Sequence, residues 1–495
     1  MKFYNNVAKA LSKKNIDLCV GDIYDYMAMW KQWYRGSVAD FHYYNIKLAT
    51  GKTVKKERLT MNMPKKICED IAKLLWTEKT EISLSNKTAT KRLWEILDSP
   101  ENAFKVNFPF FIEQTLALGN GALIEYKKDG KIIIDYVSGD VIITYKFTNS
   151  YVYGLITVSR FTEETTRGKT IYYTHITYHE FDGKEYSKLN ELYKSFDEDT
   201  LGKEIEFSEK FSDIENPYIV QTPVPHFQLL QPVLANNIEI ESPLGISIFA
   251  NSIDRFKAID SKYDDFTNEF DLSRKRVLVD SSTVKPQVTT TENGTEYVSY
   301  FDSADNVYVA IHGMDNQPIK EIDFNIRSQA YIDSINAELS WLSSNIGLGS
   351  NFYKFDGASV KTAKEVMSEN SEAFRTKQHH QLLVNDVVLG LVNAICNIAG
   401  IKTNSVSIVA DDSIIEDKDT EQLRAMQEVS QGLMSKKTYL TKYKGMSEQE
   451  AELELQNIQD EKMTNQEAFG FSTDEKQDKG EDKDSETKKD KKEDK

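Results

Sequence analysis

Residues 243–277 read PLGISIFANSIDRFKAIDSKYDDFTNEFDLSRKRV, and residues 347–365 read GLGSNFYKFDGASVKTAKE. In the first stretch Phe249, Ile253, Phe256, Ile259, Tyr263, Phe266 and Phe270 recur at steps of three and four, the spacing that lays one apolar stripe along an α-helix. Ser242-Pro243 opens this stripe, and Arg274-Lys275-Arg276 closes it with cations suited to a helix C-terminus. A helix is therefore expected over 244–273. Its other face carries Asp254, Ser261, Asp264, Asp265, Asn268 and Asp271 and reads as solvated. A second amphipathic helix is expected over 325–346, with Ile332, Ile335, Leu339, Leu342 and Ile346 in register. Short strands lie between the two, at Val277–Val279, Tyr297–Phe301 and Val307–Ile311, with a turn at Glu292-Asn293-Gly294. The second quoted stretch is a loop holding Gly347, Gly349 and Gly357. It ends in Thr362-Ala363-Lys364-Glu365, a capping box that starts a third long helix reaching about Ala399.

Upstream, the first hundred residues read as mainly helical. Asp22–Tyr34 carries an apolar stripe that includes Trp30 and Trp33, and Asn62-Met63-Pro64 opens a helix with Ile67, Ile71, Leu74 and Leu75 on one face. Phe108–Leu118 is a third. From Ala122 the period changes to two: Ala122–Tyr126 and Ile132–Tyr136 flank Lys-Asp-Gly at 128–130, a hairpin signal, and strands follow at Val141–Phe147, Tyr151–Phe161 and Ile171–Phe181. An antiparallel β region is expected over 121–190, then a polar, poorly patterned stretch over 194–216. Downstream, Val406–Val409 reads as a strand and 418–462 as helical, broken at Gly432 and Gly445. Residues 474–495 hold ten acids and eight lysines and no apolar residue, so the tail cannot offset its ordering entropy and is expected to be disordered.

Composition narrows the function. The 495-residue chain has 61 basic and 78 acidic residues, a net charge of −17, which argues against a protein that grips nucleic acid by displacing its counterions. The longest apolar stretch, Val387–Ile401, is interrupted by Asn393 and Asn397, and the N-terminus lacks an apolar signal region, so no membrane role is expected. Cys19, Cys68 and Cys396 are far apart and read as reduced, buried thiols.

No catalytic, cofactor or metal site is expected. Gly51-Lys52-Thr53 and Gly168-Lys169-Thr170 lack the first glycine of a phosphate loop, and Gly119-Asn120-Gly121 reads as a turn. His175 and His179 share one strand face and read as sheet residues, because a metal would need a third ligand. His379-His380 are consecutive on a helix and cannot face one ligand together. Asp264-Asp265 and Asp411-Asp412 read as a solvated helix face and a turn.

The order helix, β insert, helix, Gly-rich loop, long helix resembles the core of bacteriophage portal proteins, the rings at one vertex of a tailed-phage capsid. The segments Pro243–Val277, Phe301–Ile311, Ile346–Gly349, Lys361–Val366 and Ser368–Ser371 are similar to those of siphophages of Gram-positive hosts, and the likeness spans about 20–465. The resemblance implies an α+β portal-type fold assembled as a ring. Residues 1–240 would be the wing, 241–273 and 321–346 the stem helices, and 274–320 a small α/β clip. Residues 347–361 would be a tunnel loop, 362–400 a long wing helix, 401–465 a helical C-terminal wing and crown, and 466–495 the charged tail. It implies a cyclic homo-oligomer of about twelve subunits, non-enzymatic, located in the virion and, during assembly, in the host cytoplasm. Its partners would be terminase, major capsid and scaffolding proteins, a head-completion adaptor, and double-stranded DNA passing without sequence specificity.

On this reading the loop candidates are Gly347, Gly349, Lys354, Gly357 and Lys361, and the stem cations facing DNA are Lys257, Lys262 and Arg274. Phe249, Ile253, Phe256, Ile259, Phe266, Phe270, Ile335, Leu339 and Leu342 are expected to pack the stem, between subunits. The competing classes are another phage ring or connector, a non-catalytic cytosolic interaction protein and a cytosolic enzyme. Connector chains are shorter and lack the three-helix core, and an enzyme would need a constellation that the sequence does not show.

Overall fold

In the computed structural model of the chain, residues 7, 11, 22–47, 51–149, 151–165, 168–273, 276–280, 287–291, 294–298, 308–311, 319–322, 325–355, 363–409 and 418–468 are described. They divide into two units, residues 1–415 and 416–495.

In the first unit, the aromatic stripe near the N-terminus forms α1 (Ile23–Tyr34), which buries Ile23, Met27, Trp30 and Trp33. A single turn, α2 (Ala39–His42), leads into an antiparallel ribbon, β1 (Tyr43–Lys47) and β2 (Thr53–Glu57). The helical reading of this region missed that ribbon. α3 (Met63–Leu75) starts as expected with Pro64 in its first turn and Ile67, Ile71 and Leu75 buried. Asn62 does not cap it through its side chain; it takes the left-handed backbone, φ 52°, that asparagine tolerates. β3 (Glu81–Leu84), α4 (Lys87–Leu97) and α5 (Phe104–Leu118) follow.

The hairpin β4 (Gly121–Lys128) and β5 (Lys131–Ser138) turns on Asp129 and Gly130, both at positive φ (50° and 80°), the two-residue turn whose twist suits paired strands. A six-stranded sheet comes next: β6 (Ile142–Thr148), β7 (Tyr151–Glu164), β8 (Thr170–Phe181) and β9 (Glu185–Ser195) pair in order, and β10 (Lys203–Ile205) and β11 (Tyr218–Gln221) share the outer edge of β9. β12 (Phe227–Leu230) returns to pair with β4. Strand pairing thus runs to residue 230, past the expected end at 190. The last strands are only three or four residues long, too short to show a period of two.

The first long helix, α6 (Ile253–Leu272), begins at residue 253 and not at 244. Residues 244–249 spend their backbone groups on the end of α5 instead. The Ile248 N–H donates to Leu116 O at 2.9 Å, Gly245 N–H donates to Asn120 Oδ1 at 2.9 Å, and Asn120 Nδ2 donates back to Gly245 O at 3.0 Å. A Cβ on Gly245 would lie 2.5 Å from Gly119 O, so this approach requires glycine. Phe249 is therefore buried in the irregular lead-in, one residue before a short 3₁₀ turn, and is not part of the helical stripe.

After α6, β13 (Arg276–Asp280) pairs in parallel with β16 (Tyr308–Ile311) and antiparallel with β17 (Ile319–Ile322), while β14 (Gln287–Thr291) and β15 (Gly294–Val298) form a hairpin. α7 (Ser328–Asn345) is followed by the 37-residue α8 (Ala363–Ala399) and by β18 (Val406–Val409), which pairs with β3. Ser371–Ala399 is long and apolar enough to cross a membrane by composition, more than the sequence reading allowed. Here it is a core helix: Val384, Val388, Leu391, Val392 and Ile395 are buried in one cluster with side chains of α1, α3, α5, α6 and α7. Leu382, on the same helix, is 63% exposed. Cys68 and Cys396 are buried and unpaired, and Cys19 lies outside the described residues.

The second unit contains α9 (Lys418–Ser430), α10 (Lys436–Lys444) and α11 (Glu448–Ala468), separated at Gly432 and Gly445 as the sequence implies. The tail from residue 469 lies outside the described residues.

Candidate functional site

The pair α6 and α7 is built from two kinds of contact. On the apolar side Phe256 and Ile259 of α6, and Ile335, Leu339 and Leu342 of α7, are all buried. On the polar side three ion pairs tie the helices: Arg255 to Glu338 at 3.0 Å, Lys262 to Glu338 at 2.8 Å, and Arg327 to Glu269 through two contacts at 3.0 and 3.1 Å. Later residues of α6 meet earlier residues of α7, so the helices run antiparallel. Burial alone would raise the Glu338 carboxyl, yet the hydrogen bonds from Lys262 and Arg255 hold it below the usual carboxylate range.

The face of α6 read as solvated is so only in part: Asp254 and Asp265 are exposed, but Asp264 is not. Asp260 and Asp264 are buried and accept hydrogen bonds from the chain that follows α2. Asp260 takes Met61 N–H and Thr60 Oγ1–H, both at 2.9 Å, and faces His42 Nε2 at 3.2 Å. Val38 N–H donates to His42 Nδ1 at 2.9 Å, so the ring proton sits on Nε2 and points at the carboxylate. Asp264 takes Leu59 N–H at 3.1 Å and Tyr44 O–H at 3.3 Å. Only the even run of acids along the helix was visible in the sequence. Their donors come from two hundred residues upstream.

Beyond α7 the chain does not swing free. Gly347 and Gly349 adopt positive φ (75° and 87°), and a Cβ on Gly347 would meet Thr376 Oγ1 at 2.5 Å. That hydroxyl donates to Gly347 O at 2.6 Å, which fixes the turn to α8. Tyr353 is buried: its N–H donates to Ser343 Oγ at 3.2 Å and its O–H to Asp70 Oδ2 of α3 at 2.9 Å. Phe355 N–H donates to Asn336 Oδ1 at 2.7 Å, and its ring packs against Tyr263 and Phe266. Residues 347–355 are thus a strap laid back along the helix pair. Gly357 and Lys361 lie outside the described residues.

A family model described as "Phage portal protein, SPP1 Gp6-like" matches residues 19–468. The chain belongs to the phage portal protein family. Among solved structures it is similar to a chain of the "Neck of native GTA particle computed with C12 symmetry", at 9% identity and a TM-score of 0.38, covering 76% of this chain and 87% of that one. No curated protein matches the chain. As a portal protein it is a structural, non-catalytic component of the virion that sits at a capsid vertex, forms a homo-oligomeric ring and serves DNA packaging.

The portal chain distributes the expected site residues unevenly. Ile253 and Phe266 are half-buried against the core cluster, and Phe270 is 48% exposed beside Phe266. Phe249 and Phe256 meet edge to face at 5.6 Å, and Phe256 contacts Trp33 of α1 at 5.9 Å. Phe249, Phe256, Ile259, Ile335, Leu339 and Leu342 are thus buried within the chain, while Ile253, Phe266 and Phe270 keep part of their surface open. Lys262 spends its charge on Glu338, whereas Lys257 is exposed and lies 3.6 Å from Asp254. Lys354 is exposed and borders a shallow groove with Lys66, Asp70 and Lys73. Arg274 lies outside the described residues.

The histidines are structural: His179 Nδ1 meets Tyr186 O–H at 2.7 Å, His175 Nε2 meets Asn190 Oδ1 at 3.0 Å, and His380 Nδ1 accepts from Val233 N–H at 3.0 Å. Asp411 and Asp412 lie outside the described residues. Among the described residues, no three His, Cys, Asp or Glu side chains converge as a metal would require.

Proposed function

We propose that α6 and α7 are the stem of the portal ring and that residues 347–361 line its constriction as a tunnel loop. The supporting observation is one covalent path inside the family match: an antiparallel helix pair bracketing a β insert, a strap pinned by Gly347, and a 37-residue helix. On this reading 1–240 form the wing, 241–273 and 321–346 the stem passages, and 274–320 the clip that faces terminase and later the head-completion adaptor. Residues 362–400 form the long wing helix and 401–465 the C-terminal wing and crown. About twelve subunits close the ring. Major capsid and scaffolding proteins surround it, and assembly proceeds in the host cytoplasm. The tail, 466–495, receives no role.

A conduit must not hold what it passes, because each neutralised phosphate adds sequence-independent affinity and so friction. A subunit at −17 repels DNA broadly, and a few cations suffice to centre the duplex. Lys257 and Lys354 fit that task, being exposed with no strong carboxylate partner among the described residues; Arg274 and Lys361 join them by position in the sequence. The ring contacts then fall to the outer faces of the stem, where Trp341 of α7 is 64% exposed.

Negative-stain electron microscopy of the purified chain tests the assignment. Rings with an axial channel are expected, and monomers at every concentration would overturn it. Trp341→Glu should abolish rings while leaving subunit melting unchanged, whereas Phe256→Asp should unfold the subunit itself. Shortening the loop within 356–361, which spares the Tyr353 and Phe355 anchors, should leave rings intact and impair DNA packaging or retention. Normal packaging would remove the loop from the mechanism.

A further inference from the structure

The ribbon β1–β2 stands apart from the rest of the first unit. Every residue of β2 is exposed, and no third strand pairs with the two among the described residues. A lone two-stranded ribbon is marginal in water. Its base is well held: Tyr44 and the backbone of 59–61 bond to Asp260 and Asp264, and Arg58 stacks over Phe41 and Tyr44 at 4.2 and 5.0 Å. The remainder is cationic. Residues 43–58 carry Lys47, Lys52, Lys55, Lys56 and Arg58 against Glu57 alone, net +4, which leaves −21 on the rest of a chain at −17. The four lysines are exposed, and among the described residues none is ion-paired with a carboxylate; Lys55 lies over the Tyr43 ring at 4.9 Å. The register sets Tyr43, Asn45, Lys47, Thr53, Lys55 and Glu57 on one face and Tyr44, Ile46, Val54 and Lys56 on the other, so both faces present cations and the second adds some apolar surface.

We propose that this ribbon is an arm that docks on acidic surface of a neighbouring copy of the chain; the inference rests on the ring reading above. A cyclic ring is held by heterologous contacts, in which each subunit presents two unlike faces. A +4 arm and a −21 remainder are such a pair, and their attraction also fixes the order of encounter. DNA is the disfavoured occupant, because four unpaired lysines repeated in every subunit would grip the duplex that the channel has to release. The arm is anchored rigidly where it leaves the stem: its base is bonded to two carboxylates of α6, so its direction is set by the helix that forms the stem.

The test uses the full-length chain with Lys47, Lys52, Lys55 and Lys56 all changed to Glu, followed by sedimentation and mass photometry across protein concentration. The variant should need about tenfold or more protein to form rings at low salt, and wild type should need a similar increase at molar salt. Thermal melting of the dissociated subunit should not change, because the substituted side chains are exposed. Assembly of the variant at the wild-type concentration would overturn the proposal. Unchanged assembly with reduced DNA retention would place the arm against DNA instead. Wild type that forms no rings at all would remove the ring reading and the arm together; rings in wild type with an indifferent variant would remove the arm only.

Discussion

Asp260 and Glu125 are both buried carboxylates, 2% and 0% exposed, yet they live in opposite circumstances. Asp260 sits on α6 with Met61 N–H, Thr60 O–H and His42 N–H converging on it. Burial raises its pKa, and those donors work against the rise. Glu125 sits on β4 across from His226, whose carbonyl accepts its backbone N–H at 3.2 Å, and among the described residues neither of its carboxyl oxygens has a hydrogen-bond partner. Burial holds its pKa well above the ordinary value, so it is far more readily neutral. One acid fastens two distant parts of the chain together, and the other is tolerated in a sheet core. Burial alone therefore does not tell what a carboxylate does; its donors do.

Removing the fastened acid should have the largest effect. Asp260→Ala strands two side-chain donors and one backbone donor in a dry site, and about 3 kcal/mol or more of subunit stability should be lost in urea denaturation. The ribbon β1–β2 should lose hydrogen-exchange protection in the same variant, since its base is held there. A loss below about 1 kcal/mol would mean that water reaches the site and that the two carboxylates are more alike than their surroundings indicate.

Glu125→Gln should act in the opposite direction. A carboxyl whose folded pKa lies above its unfolded value contributes stability that is complete below the unfolded pKa, near 4, and is lost as pH rises through the folded pKa. The neutral glutamine escapes that loss. The variant should therefore melt higher than wild type at pH 8, by about 2–4 °C, with no advantage at pH 4. An equal difference at both pH values would show that packing, and not ionisation, separates them.

The sequence disclosed the elements whose signal is local and concealed those whose signal is not. The Asp129-Gly130 hairpin, Pro64 in the first turn of α3 and the breaks at Gly432 and Gly445 each depend on a few adjacent residues, and each is found where expected. The start of α6 was misplaced because Leu244–Phe249 is apolar enough to extend the helical stripe, while the partner that draws its backbone away, the end of α5, is 125 residues upstream. The lysines of 47–56 were in view throughout. Their meaning needed the ribbon's register, and short strands bearing Lys and Asn give little β signal. For the candidate loop, three glycines marked a departure from helix, but the strap 347–355 is anchored by Tyr353 and Phe355, whose partners lie on α3, α6 and α7.

Tyr353 supplies an intermediate case. Its O–H donates to Asp70, whose side chain is 15% exposed and also pairs with Lys66, so the carboxylate keeps a partner when the hydroxyl is removed. Tyr353→Phe should cost only about 1 kcal/mol in subunit stability. If the strap sets where the proposed tunnel loop leaves the subunit, the same change should still alter DNA retention in assembled rings.

The exposed end of the series is Lys257 with Asp254, 3.6 Å apart, where the acid's side chain is 95% exposed. Water and salt screen such a pair almost completely, so Lys257→Ala should change stability by less than about 0.5 kcal/mol. Lys262→Ala should cost somewhat more, about 0.5–1 kcal/mol, because Glu338 would keep only Arg255. The proposed DNA-centring role separates the two in the other order. A cation that centres DNA must be free to meet phosphate, which Lys257 is and Lys262 is not. Packaging by rings carrying Lys257→Ala should therefore slow or stall with melting unchanged, while Lys262→Ala should lower melting and leave packaging intact. If both variants package normally, the channel does its centring elsewhere, with Lys354 the next residue to change.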